Sequence, residues 1–105
     1  MVQKSDNAAN EFAGKLRMAC GDRIRHIFLF GSRARGDYRP DSDYDLLIIV
    51  DSRDRDLLSS IRKTEWSMLD AHDTLFSSVV YDISEWERKK HFPLGVNVIR
   101  EGVPL

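Results

Sequence analysis

Two aspartates, Asp43 and Asp45, bracket Tyr44 at the entrance to the apolar run Leu46-Leu47-Ile48-Ile49-Val50. Upstream, Gly31-Ser32 follows a second apolar run, Ile27-Phe28-Leu29-Phe30, and ten residues separate the serine from Asp43. In a β-strand, residues two apart share a face. If strand geometry begins by Asp43, the two carboxylates project side by side into the space next to Gly31-Ser32. Carboxylates that close raise each other's pKa unless a cation sits between them. Oxygen ligands favour a hard ion such as Mg²⁺, which is commonly held by one or two carboxylates together with substrate phosphates. A Gly-Ser turn offers what those phosphates need: free backbone N–H groups, a hydroxyl and no side chain at the glycine. The residues alone suggest a metal–nucleotide site, with Asp43 and Asp45 on the metal and Gly31 and Ser32 on the phosphates.

The same stretch supplies cations. Arg33, Arg35 and Arg39 are candidates for triphosphate contacts, because a guanidinium can pair two oxygens at once. A solvated, charged loop accounts for each of them equally well. Turn-forming or capping aspartates are the alternative account of Asp43 and Asp45. Against it, Asp45 directly abuts the buried run, where an unpaired charge is costly. Asp41 fits the turn at Pro40-Asp41-Ser42 better than it fits a metal.

Gly31-Ser32, ten residues and then Asp43-Tyr44-Asp45 resemble the GS-x10-D-x-D signature of DNA polymerase β-like nucleotidyltransferases, in particular the minimal nucleotidyltransferases of bacteria and archaea. SEWER and NVIREGVPL extend the resemblance loosely to the last residues. The resemblance implies transfer of a nucleoside monophosphate, AMP from ATP foremost, to a hydroxyl acceptor with release of pyrophosphate. It implies two Mg²⁺ ions with nucleotide bound, and it ranks Arg35 first among the arginines, since that residue stands before glycine as in the family's GS-x-x-R-G. The acceptor implied by the minimal family is a tyrosine on a small helical HEPN-type partner, in a toxin–antitoxin pair. The family also places a third acid on the third strand. The only acid there is Asp82, near the strand's C-terminal end, whereas alignment on Ser84-Glu85-Trp86 puts the acid around Ser77 to Tyr81. Loss of that acid would weaken turnover more than nucleotide binding. A second reading follows from it: a non-catalytic, antitoxin-like nucleotide-binding module that acts by occupying a partner.

The elements that must position these residues are legible in outline. Residues 6 to 20 carry an apolar stripe at helical spacing, with Ser5 or Asp6 to cap it and Gly21 to end it. Ile24 to Phe30 reads as a strand; its His26 is set aside as packed or hydrogen-bonded. A short helix starts at Ser32 and stops at Gly36, and Asp45 to Val50 forms a central strand buried on both faces. A long crossover helix covers Asp51 to Ala71, with Trp66 read as core; the alternative, an exposed position off the seam, would point to a partner surface. Leu75 to Ile83 is the third strand, and Ser84 to Glu87 reads as the capping box of a short helix. Pro93 breaks that helix. A last helical turn spans Val96 to Glu101, and Val103-Pro104-Leu105 forms an edge strand or tail. The expected fold is α/β, a mixed sheet of three or four strands with helices packed on one face.

Composition sets the outer bounds. Residues 1–105, with 42% hydrophobic and 31% charged, read as a single minimal nucleotidyltransferase domain with one modest core. Formal net charge is -1, and the loop arginines alternate with Asp37, Asp41 and Asp43, which argues against direct nucleic-acid binding. Cys20 is the one cysteine, which excludes an internal disulfide and suits a reducing cytosol. The apolar runs fall short of a membrane span and no signal region opens the chain. The expected location is cytoplasmic, and oligomerisation is left open.

Overall fold

The structure, a computed structural model, describes residues 7–105. Helix α1 (Asn7–Cys20) buries Ala9, Phe12, Ala13 and Leu16, the stripe that makes it amphipathic. The caps expected at Ser5 or Asp6 lie outside the described residues. A single 3-10 turn leads into β1 (Ile24–Phe30), which is followed by α2 (Ser32–Arg35) and β2 (Tyr44–Val50). Then come α3 (Arg55–His72), β3 (Phe76–Asp82), α4 (Ile83–Lys89), α5 (Pro93–Glu101) and β4 (Val103–Pro104). The sheet order is β3-β2-β1-β4. β1 runs antiparallel to both β2 and β4, while β2 and β3 are parallel across the α3 crossover.

β2 is central in the literal sense: Leu46 to Val50 are all buried. Alternation along it feeds two cores. Leu46, Ile48 and Val50 meet α1 and α3, together with Ile27, Leu29 and Phe76. Leu47 and Ile49 face the other way, toward Phe28, Val79, Trp86, Leu94 and Val98. The two long helices therefore occupy one face as expected, and the short α4 and α5 add a cover on the opposite one.

Four local features depart from the sequence reading. α3 begins at Arg55, not Asp51, because Arg23 captures Asp51 (3.1 Å), the Ser52 carbonyl (3.1 Å) and Asp54 (2.6 Å), holding that segment off the helix axis. Asp54 then serves as N-cap, accepting from the Leu57 N–H. Trp66 is 68% exposed and Thr64 takes the inner position, its hydroxyl donating to the Ser60 carbonyl. The capping box of α4 is Asp82 with Glu85, two residues ahead of the Ser84–Glu87 frame. α5 starts at Pro93, which sits in the first turn where its missing N–H costs nothing. Cys20 packs half-buried against the larger core, and that burial pushes its thiol pKa up. Among the described residues, no helix is long and apolar enough to cross a membrane.

Candidate active site

β1 and β2 deliver the bend and the acids to one place. Phe30, the last residue of β1, pairs with Asp45 on β2. The next residue, Gly31, adopts φ 77° and ψ −158°, a conformation essentially reserved for glycine. A methyl group built on Gly31 would lie 2.5 Å from the Oδ2 of Asp45. The bend is thus pressed against the carboxylate, and only a residue without a side chain lets it approach so far. Ser32 opens α2, with the Gly31 carbonyl accepting from the Ala34 and Arg35 N–H groups at 3.1 Å. Gly36 (φ 90°) closes that single turn and releases the chain into the loop that returns to β2.

Asp45 is half-buried at the head of β2, and Asp43 stands exposed just before the strand. Between them Tyr44 points into the core on the opposite face and stacks on Phe76 with centroids 4.4 Å apart. Burial is the main force raising the Asp45 pKa, the charge of Asp43 adds to it, and Arg35 opposes both. A carboxylate whose ionised form is disfavoured by burial and then by a neighbouring acid is one that a divalent cation relieves. Among the described residues no cluster of three or more His, Cys, Asp or Glu forms a ready-made cage. An oxygen-only pair of this kind suits Mg²⁺, whose remaining ligands are usually water and substrate phosphates.

The three arginines separate. Arg33 is 9% exposed, and its guanidinium lies between the rings of Tyr38 and Tyr44, 4.3 Å from each centroid. It donates to the carbonyls of Ser42 and Pro40. A group so enclosed cannot reach a triphosphate, so its candidacy for that role is withdrawn. Arg35 is exposed beside the acids, pairing with Asp37 at 3.2 Å and Glu101 at 3.5 Å. Exposed pairs of this type are weak, which leaves Arg35 able to turn toward an anion. Arg39 lies on the exposed loop, where its backbone N–H donates to Ser42 Oγ.

Asp82 is placed elsewhere. It pairs with Val50 at the far end of β2, about 16 Å from the Ser77 position at ~3.3 Å per residue. Its carboxylate accepts from the Glu85 N–H and the Ser84 hydroxyl, and these bonds, in that order, hold its pKa below the usual carboxylate range. The residue beside Asp45 on β3 is Ser77, exposed.

A mixed sheet of order β3-β2-β1-β4, with a glycine–serine bend at the end of β1 meeting acids at the head of β2, defines a nucleotidyltransferase-type α/β protein. The model of the nucleotidyltransferase domain family matches residues 13–103, and the chain belongs to that family. MJ0604 of Methanocaldococcus jannaschii, named for a proposed protein adenylyltransferase activity, is 31% identical over 97 residues, which is 92% of this chain and 93% of that one. A chain from a toxin–antitoxin crystal structure with AMP-PNP superposes with a TM-score of 0.58 at 17% identity, over 90% of this chain and 69% of its own. A chain from the complex of tri-AMPylated Shewanella oneidensis HEPN toxin with MNT antitoxin gives 0.55 at 15% identity, over 93% and 68%. At such identities the two superpositions speak to the fold.

Proposed function

We propose that this nucleotidyltransferase moves AMP from ATP to a hydroxyl acceptor in a Mg²⁺-dependent reaction, and that the acceptor is a tyrosine of a helical HEPN-type partner. One observation carries the chemistry: the bend at Gly31 abuts the Asp45 carboxylate, whose ionisation is disfavoured by burial first and by the charge of Asp43 second. In this reading Asp43 and Asp45 hold Mg²⁺, the Gly31-Ser32 bend holds the β and γ phosphates, and Arg35 balances charge gathering on the departing pyrophosphate. An ion held there would offset triphosphate charge and would lower the pKa of the acceptor hydroxyl. The choice of ATP and of a protein acceptor is supported by the name of the M. jannaschii relative and by the AMP-PNP and AMPylated-toxin complexes. The test is transfer of label from α-labelled ATP to a co-purified helical partner. Asp43→Asn and Asp45→Asn abolish it in folded protein; transfer equal to wild type in either variant removes the proposal.

A second reading has its own observation. With Asp82 engaged as a helix cap and Ser77 beside Asp45, the third strand brings no carboxylate to the pair. A nucleotide-binding module that acts by occupying its partner would look like this. Calorimetry decides between them: ATP binding with a stable partner complex and no label transfer favours the module, and measurable transfer dismisses it.

A further inference from the structure

Arg33 is more enclosed than either of the acids. Its guanidinium is sandwiched between Tyr38 and Tyr44 at 4.3 Å from each ring. Beyond Tyr44 the stack continues to Phe76 (4.4 Å, 4° between planes) and on to Phe12 (5.6 Å, 13°). A column of five planar groups therefore runs from the exposed loop into the core under α1. At the same time Arg33 Nη2 donates to the Ser42 carbonyl at 3.0 Å and the Pro40 carbonyl at 3.2 Å, and Nε donates to Ser42 at 3.3 Å. The Ser42 carbonyl and the Asp43 amide belong to one planar peptide unit. Fixing that carbonyl fixes the plane from which Asp43 projects, and fixing the Tyr44 ring fixes the residue that joins the two acids.

We infer that Arg33 is a positioning residue: it holds the Ser42–Asp43 peptide and the Tyr44 ring so that Asp43 stands beside Asp45 as a cation ligand. This inference rests on the proposed metal role of the acid pair. The planar fork is what matters. Lysine keeps the charge but has neither a flat face for two rings nor paired donors for two carbonyls. Tyr38 is the outer cover of the guanidinium, and removing it lets water compete for the same carbonyls.

The experiment measures Mn²⁺ affinity by electron paramagnetic resonance in the wild type, Arg33→Lys, Tyr38→Ala and Asp43→Asn, with amide exchange across residues 37–43 and the Mn²⁺ dependence of label transfer. Support groups behind metal ligands typically contribute 10–100-fold to affinity, so Arg33→Lys weakens Mn²⁺ binding by roughly tenfold. Exchange in the loop accelerates, amides of β1 and β2 keep their protection, and turnover recovers at saturating Mn²⁺. Tyr38→Ala shifts in the same direction, and decides the matter if Arg33→Lys does not fold. Loss of Mn²⁺ in Asp43→Asn with wild-type affinity in Arg33→Lys overturns this inference alone. Wild-type affinity in Asp43→Asn overturns the metal role of the acids, and this inference with it.

Discussion

Gly31→Ala separates the site's geometry from its stability. At φ 77° the added methyl forces a non-glycine residue into a strained backbone region, at a cost of about 1–3 kcal/mol. For a domain of this size each kcal/mol lowers Tm by roughly 4–8 °C. The methyl would also sit 2.5 Å from Asp45 Oδ2. Ordinary contact distances are ~3.5 Å or more, so the carboxylate must swing aside by about 1 Å. A misplacement of ~1 Å at a reacting centre can cost on the order of 100-fold in rate, or about 2.7 kcal/mol of transition-state stabilisation. Gly36→Ala supplies the control: its φ is 90°, yet a Cβ there meets nothing within 4 Å. Thermal unfolding and label transfer from ATP are measured on both. The expected result is a loss of stability in both variants and a far larger loss of turnover in Gly31→Ala. Equal turnover in the two, or undiminished turnover in Gly31→Ala, would refute the reasoning.

Other substitutions probe the charges. Burial first, and Asp43 second, raise the folded pKa of Asp45 above its unfolded value. The native state therefore holds that proton more tightly, and stability falls as pH rises from about 4 through the folded pKa. Asp45→Asn removes this limb of the Tm–pH curve and raises Tm at neutral pH while abolishing transfer. Asp82 is the opposite case: its lowered pKa stabilises the fold above the ordinary carboxylate range, and the benefit fades as pH falls through the folded value. Asp82→Ala melts earlier than wild type at neutral pH, converges with it in acid, and retains turnover per folded molecule. Ser77→Asp puts a third carboxylate next to Asp45; turnover with Mg²⁺ rises if proton removal from the acceptor limits the rate, as a time course of label transfer will show.

Much of this arrangement is legible in the chain because it depends on neighbours in sequence. The apolar run before Gly31 marks β1 to the residue, and five consecutive apolar residues after Asp45 announce a strand buried on both faces. The pairing of the bend with the acids follows once those two strands are antiparallel neighbours. What the sequence hides are choices made by distant partners. Nothing local to Asp51 says that Arg23 will hold it, so α3 reads four residues too long at its start. Trp66 lies near an apolar seam that Thr64 completes instead. Arg33 looks like its two loop neighbours; only the folded chain puts tyrosines on both its faces. The standing of Asp82 turned on register, because its own spacing suits a strand end and a helix cap alike.

Asp45 is laced into the sheet from both sides, opposite Phe30 and Ser77, whereas Asp43 precedes the first rung of the ladder. The two acids are therefore expected to differ in amide exchange as well as position. The amide of Asp45 opens only when the ladders part, and that of Asp43 opens with the loop, far more often. In the proposed metal role, an ion would meet Asp45 fixed by two ladders and Asp43 fixed only through the peptide that Arg33 holds. Magnesium should accordingly announce itself as slowed exchange at Asp43, with Asp45 scarcely altered.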